Sequence, residues 1–384
     1  MTKKNFILML TVLLVTSCSA SDTLKKNSLS GKYTKEDANK ALDAFNDAFL
    51  DPVSKIYRAN SDKSKDGVAA IWTQAIYWDM AMNAYKRTKE VKYKKLIDDI
   101  YEGNYNHYDK FNWDNGKVWF IYDDIMWWTI SFARAYELTK DKKYLDYSET
   151  SFKRVWEGSP VVGDPGSYDP KNGGMYWQWI QSNPPVRPEN DGKMACINYP
   201  TVVAAMTLYN TTKNEDYLNK AKEIYGWARE NLFDKSNGKV ADSRHGQGTP
   251  NWKAHLYNQG TCIGAAVLLY KQTKDKIYLE DAIAAMDYVK NTMSDAKGAL
   301  PIENGIEQGI YAAIFAQYAA SLIQDCNQPQ YLDWLYYNIN EAWAKRDSRN
   351  LTYKDINVSC PTGNIEVYDA SGCPALMQVL PIKK

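Results

Sequence analysis

Two consecutive aspartates, Asp123 and Asp124, begin an otherwise apolar stretch, Trp119-Phe-Ile-Tyr122-Asp123-Asp124-Ile-Met-Trp127-Trp128. Asp at a helix start is commonly a cap, which accounts for one of them. The other, among Tyr, Ile, Met and Trp, faces apolar neighbours that oppose ionisation. Successive helical residues diverge by about 100°, yet two short carboxyls in a first turn can still come near each other. Such a contrast is what a nucleophile and a proton donor need: one carboxylate stays ionised, while the other has a raised pKa and protonates a leaving group. The capping reading and the catalytic one both stand at this point. Other chemistry is poorly represented. His107, His245 and His255 show no ligand spacing with each other or with any Cys pair, so no metal site and no cofactor is expected.

The elements that would position the aspartates announce themselves by repetition. The string Tyr-x-x-Thr-Lys-x-x-x-Tyr occurs at Tyr85 to Tyr93, Tyr136 to Tyr144, Tyr209 to Tyr217 and Tyr270 to Tyr278. Each copy ends an apolar segment of helical period (Ala69 to Tyr85, Ile125 to Tyr136, Thr201 to Tyr209, Thr261 to Tyr270) and begins an amphipathic one, such as Tyr217 to Leu232 or Tyr278 to Met293. The string therefore reads as the turn of a helical hairpin. A fifth, degenerate copy runs from Gly309 to Trp343, and a sixth pair, Ala370 to Leu380 with Lys35 to Leu50, would close a ring. The first helix of each pair is apolar nearly all round and belongs inside; the second carries a charged face and belongs outside. Counterpart tyrosines lie 50 to 75 residues apart, too far for an open superhelix of repeats of about 34 residues. The expected fold is all-α, a closed toroid. Its long loops, 158 to 198, 234 to 258 and 294 to 309, would form a cleft at one end.

Composition narrows the partners. The 384 residues suffice for one large or two medium cores, and 47 Lys and Arg against 46 Asp and Glu leave a net charge of +1. No global field would draw the chain to nucleic acid. The 29 Tyr and 13 Trp far exceed the 9 Phe, an excess of rings with a polar edge, which pack in helix interfaces or stack on sugars in a wet cleft. At the N-terminus, Lys3 and Lys4 precede an apolar run from Phe6 to Val15 that is too short to span a bilayer. Val15-Thr16-Ser17-Cys18 follows it and resembles a bacterial lipobox. Residues 1–17 then read as a lipoprotein signal peptide, Cys18 as the lipidated residue, 18–34 as a polar tether and 35–384 as the folded domain. The chain would be an exported lipoprotein anchored to the outer membrane, on its periplasmic or cell-surface face; a conventional cleaved signal is the alternative. Of the remaining cysteines, Cys360 and Cys373 could pair, whereas Cys196 and Cys262 sit in apolar helical context and read as buried thiols.

Asp123-Asp124-x-x-Trp127-Trp128, followed by Ala135-Tyr136-Glu137-Leu138-Thr139 and Tyr144-Leu145, resembles glycoside hydrolase family 76, the endo-α-1,6-mannanases. Further matches are Gly173-Gly174-Met175-Tyr176-Trp177, Lys193-x-Ala195-x-x-Asn198 and Tyr257-Asn258-Gln259-Gly260, so the resemblance runs from about residue 36 to the C-terminus. It implies an (α/α)6 barrel that cuts α-1,6-mannosidic bonds inside a mannan backbone with retention of configuration. By position Asp123 would be the nucleophile and Asp124 the general acid/base, with carboxyls about 5–5.5 Å apart. Tyr122, Trp128, Trp177, Asn198, Tyr257, Asn258 and Gln259 are candidates for the subsites; Asn258 could instead cap a helix, and Trp128 and Trp177 could be core wall. The chain departs from the family pattern at Asn304 to Tyr318, which lacks Phe-Lys-Gly and a basic residue before Tyr, and at Met194, where Asn is common.

Rival readings keep the fold. A lipid-anchored glycan-binding protein serving an oligosaccharide uptake system would need the aromatics but not two acids. Another (α/α)6 glycosidase, exo-acting or uronate-directed, would show a blocked cleft or a basic cluster; the candidates for such a cluster in the long loops, Arg187, Lys193, Arg244 and Lys253, are scattered. A helical scaffold for protein partners accounts least well for site-like loops.

Overall fold

The computed structural model describes residues 32–181 and 191–381. Its helices are α1 (Lys35–Phe49), α2 (Ile71–Thr88), α3 (Val91–His107), α4 (Tyr122–Thr139), α5 (Lys142–Glu157), α6 (Ala195–Thr212) and α7 (Glu215–Asn231). They continue as α8 (Leu256–Thr273), α9 (Lys276–Tyr288), α10 (Tyr311–Asp325), α11 (Leu332–Ala344), α12 (Val367–Ala370) and α13 (Gly372–Val379). Going round the inner ring, α2, α4, α6, α8, α10 and α13 each pack on the next, and α13 returns onto α2. Outside them, α3, α5, α7 and α9 pack on their hairpin partners, while α1 and α11 flank α13. This is an (α/α)6 barrel. Two short antiparallel pairs decorate it: β1 (Gly192–Met194) with β4 (Ser243–His245), and β2 (Phe233–Asp234) with β3 (Lys239–Val240).

The opening Tyr, the Thr and the Lys of the repeated string each have a physical account. Lys89, Lys140, Lys213 and Lys274 end the inner helices in the left-handed region, at φ 61, 61, 61 and 63°. Each donates its backbone N–H to the carbonyl of the Tyr four residues earlier. The Thr before each Lys donates its hydroxyl back to the preceding turn, as Thr139 does to the Ala135 carbonyl at 2.7 Å, and accepts the N–H two residues on, from Asp141 at 3.2 Å. Asp141, Asn214 and Asp275 then cap the outer helices through their side chains. A non-glycine residue at positive φ costs about 1 kcal/mol. Each Lys ammonium also lies 5.4–5.8 Å from the ring of its Tyr, a contact that contributes about 0.5 kcal/mol where exposed and offsets part of that cost.

Between the rings the barrel is filled with aromatic side chains. Trp78 on α2, fully buried, donates its indole N–H to the Ile97 carbonyl at 2.9 Å and packs against Trp128, Phe132 and Tyr144 at 5.4–5.9 Å between centroids. Nearer the barrel axis, Asp79 pairs with Arg134, whose guanidinium lies 5.5 Å from the centre of the Tyr318 ring. Burial pushes the Asp79 carboxyl up, while the Asp79 charge holds Arg134 protonated. Arg134→Met should destabilise the fold by about 3–5 kcal/mol in urea unfolding, because it strands a buried acid; Asp79→Leu in the same chain should recover most of that loss.

Two points left by the sequence take a definite form in the structure. The five described cysteines are free: Cys360 Sγ lies 3.8 Å from the Pro361 carbonyl and Cys373 Sγ 3.8 Å from the Ile339 carbonyl, so they do not pair. The fold also begins before residue 35. Tyr33 is buried against Tyr336, and Thr34 caps α1 in a capping box with Asp37. The signal peptide, Cys18 and the tether up to residue 31 lie outside the described residues, as does Arg187.

Candidate active site

The first turn of α4 is fixed by the chain that returns past it. Trp179 donates to the Phe120 carbonyl at 2.8 Å and Tyr122 donates to the Trp177 carbonyl at 3.0 Å, so loop 176–179 runs beside 120–122. Ile121 occupies the cap position with no side-chain bond of its own. Asp123 and Asp124 therefore fall inside the helix, and neither is its N-cap residue. Together with Ile71 and Trp72 of α2, Trp127 of α4 and Phe120, they line a cleft of about 450 Å³. Trp177 and Gln178 from the loop, Met194 and Cys196, Tyr257 of α8, Glu307 and Tyr311 complete it.

The two carboxyls differ electrostatically. Desolvation pushes Asp123 up to about 7, while the neighbouring Cys196 thiol, Trp177 indole and backbone N–H groups favour its charged form. Asp123 Oδ1 is buried and has no hydrogen-bond partner among the described residues, a costly state that marks functional groups. Asp124 is also raised, by desolvation first and then by the charges of Asp123 and Glu307. The two acids interact, so the pair titrates as a unit, with one proton held well above the usual carboxylate range.

Of the other candidates, Trp177 and Tyr257 reach the cleft, and Tyr257 stacks on Tyr311 at 4.0 Å. Five do not line it. Tyr122 is fully buried, with its hydroxyl on Asp164, which in turn holds Arg154. Trp128 is core wall between α2 and α4, its indole bonded to the Ile71 carbonyl at 3.1 Å. Asn198 clamps the 173–177 loop by exchanging bonds with Met175 at 2.9 and 3.1 Å. Gln259 serves as a peg for the β2–β3 turn through Val240, Gly238 and Ala285. Asn258 is fully buried within the first turn of α8 and does not cap it. That helix starts at Leu256, five residues earlier than the apolar run implied, and Glu303 accepts the Leu256 N–H at 2.7 Å.

Trp72, Phe120, Gln178, Cys196, Glu307 and Tyr311 line the cleft without having been singled out. Most had no distinctive sequence signal. Glu307 had one, because it lies in the segment that departs from the family pattern. Among the basic loop residues, Lys193 is buried in an ion pair with Asp169 at 2.7 Å and Arg244 binds the Gly248 carbonyl at 3.0 Å. Among the described residues, no Lys or Arg lines the cleft.

An (α/α)6 barrel with an acid pair in an aromatic cleft at a helix start defines the class of helical-toroid glycosidases. Residues 33–380 match glycosyl hydrolase family 76, and the chain belongs to that family: it is a glycoside hydrolase. No curated protein sequence matches it well. Among solved structures it is similar to the GH76A α-1,6-mannanase from Salegentibacter sp. HEL1_6, with 24% identity over 90% of this chain and 98% of that one and a TM-score of 0.76. An inactive variant of that enzyme, with two adjacent Asp changed to Asn, is described in complex with α-1,6-mannotriose and superimposes with a TM-score of 0.75, at the same 24% identity and the same 90% and 98% coverage. The family 76 mannosidase Bt3792 from Bacteroides thetaiotaomicron is 18% identical over 89% of this chain and 96% of that one, with a TM-score of 0.72.

Proposed function

We propose that the chain is a retaining endo-α-1,6-mannanase in which Asp123 is the nucleophile and Asp124 the general acid/base. The observation that carries this reading is that two adjacent aspartates of one helical turn line a single cleft, where burial raises both carboxyls and the charge of Asp123 further favours the acid form of Asp124. Family membership and the likeness to α-1,6-mannanases support the substrate class. In the first step an Asp123 oxygen bonds to the anomeric carbon, the glycosidic C–O bond breaks, and the Asp124 proton passes to the departing oxygen. In the second, ionised Asp124 takes a proton from water, the water oxygen attacks the anomeric carbon, and the bond to Asp123 breaks. Trp177, Tyr257 and Tyr311 offer ring faces for sugars. In the same proposal Cys18 carries a lipid that anchors the enzyme to the outer membrane, on its periplasmic or cell-surface face, beside other glycan-uptake components.

The soluble form starting after Ser30, incubated with linear and branched yeast mannan, should yield a ladder of oligosaccharides whose first-formed reducing ends keep the α configuration by NMR. Mannose alone would replace internal cutting with exo action, and binding without products would remove the hydrolytic reading on this substrate.

A further inference from the structure

Glu307 stands in the loop that leads into α10, with φ at 67° and ψ at −9°. That left-handed conformation is costly for a residue with a side chain, and such strain gathers at working sites. Its side chain lies in the same cleft as Asp123 and Asp124. One oxygen, Oε2, accepts the Trp72 indole N–H at 2.7 Å. The Trp72 ring in turn leans on Trp127, 6.0 Å away between centroids, so this bond fixes one aromatic wall beside the aspartates.

Among the described residues that line the cleft, nothing cationic intervenes. The titratable groups lining the cleft beside Asp124 are Asp123 of α4, Cys196 of α6, Tyr257 of α8, Tyr311 of α10 and Glu307 itself. Tyr108, after α3, interacts with Asp124, and Tyr77 of α2 and Tyr368 of α12 interact with Glu307. None of these carries positive charge, and Glu307 has no salt bridge with any described residue. An acid with no counter-charge, held at positive φ beside two other acids, repels their ionised forms.

We propose that Glu307 is a positioning residue for the reaction, fixing the Trp72 indole in the cleft wall and setting the charge that Asp124 meets. The inference rests on the catalytic reading of the aspartates. A neutral group here would leave Asp124 freer to ionise, and a shorter one would release the indole as well.

Glu307→Gln keeps an acceptor for Trp72 and removes the charge. The alkaline limb of its kcat/KM profile on a linear α-1,6-manno-oligosaccharide should move to lower pH by about half a unit or more. Its KM at the optimum should stay within about twofold of the parent. Glu307→Ala should show the same displacement and, with the indole released, a KM raised about fivefold or more. A second readout needs no turnover: the Asp124 carboxyl carbon, assigned in ¹³C NMR by its loss in Asp124→Asn, should titrate at lower pH in both Glu307 variants. If the parent enzyme fails to cleave mannan, the catalytic reading falls while this titration still reports on Glu307. A Glu307→Gln enzyme whose Asp124 titration coincides with the parent's, or a Glu307→Ala enzyme with unchanged KM, overturns the proposal.

Discussion

Asp123→Asn is expected to abolish hydrolysis of linear α-1,6-mannan, with kcat falling on the order of 10⁴-fold or more, while oligosaccharide binding remains measurable by calorimetry. An amide cannot form the covalent glycosyl-enzyme, but it occupies the same volume and leaves the aromatic walls in place. Unfolding as a trivial cause can be separated by the sign of the stability change. Asp123 rises from an ordinary 3.8 to about 7 on folding. Its contribution to stability is therefore fully present below the unfolded value and is lost as pH rises through about 7. At pH 8 the parent carries a buried charge that the Asn variant does not, so the variant should melt no lower than the parent. Near-normal turnover in this variant would take the nucleophile role from Asp123.

Asp124→Ala should lose only acid assistance in the first step and base assistance in the second. Its kcat on mannan should fall about 10²–10⁴-fold. A substrate with a good leaving group should suffer less, and azide should restore turnover by attacking the glycosyl-enzyme in place of activated water. The alkaline limb of the parent's pH profile, which reports loss of the Asp124 proton, should vanish in the variant. The acid limb, reporting ionisation of the coupled pair, should lie near neutrality rather than in the usual carboxylate range. Full activity on all substrates with no azide effect would remove Asp124 from this role.

The barrel was legible in the sequence because its hairpin turns repeat. Tyr, Thr and Lys each satisfy one backbone or ring requirement, and the same turn recurs at Lys89, Lys140, Lys213 and Lys274. The acid pair was legible because two charges in an apolar helix start have few structural explanations. The subsites were much less so. Asn198 and Gln259 look like sugar-binding amides on paper, but buried backbone groups in the 173–177 loop and the β2–β3 turn need the same donors and acceptors. Helix starts misled in the same direction. The apolar run of α8 begins at Thr261, yet Glu303, from a loop more than forty residues on, extends the helix back to Leu256. Contacts of such sequence separation leave no local trace. Glu307 could have been suspected only as a deviation from the family pattern, and its partner Trp72 lies over two hundred residues away.

Closure of the inner ring by α13 against both α10 and α2, with α1 packed beside it, joins the first described helix to the last. During synthesis on a ribosome, α1 must wait for its neighbour until residues 372–379 have emerged, and the seam between α2 and α10 stays unzipped for just as long. Assembly is thereby gated by its slowest, most distant pairing. A truncation of only a dozen residues at the C-terminus would leave a horseshoe with an oily edge, prone to self-association, in place of a slightly shortened enzyme.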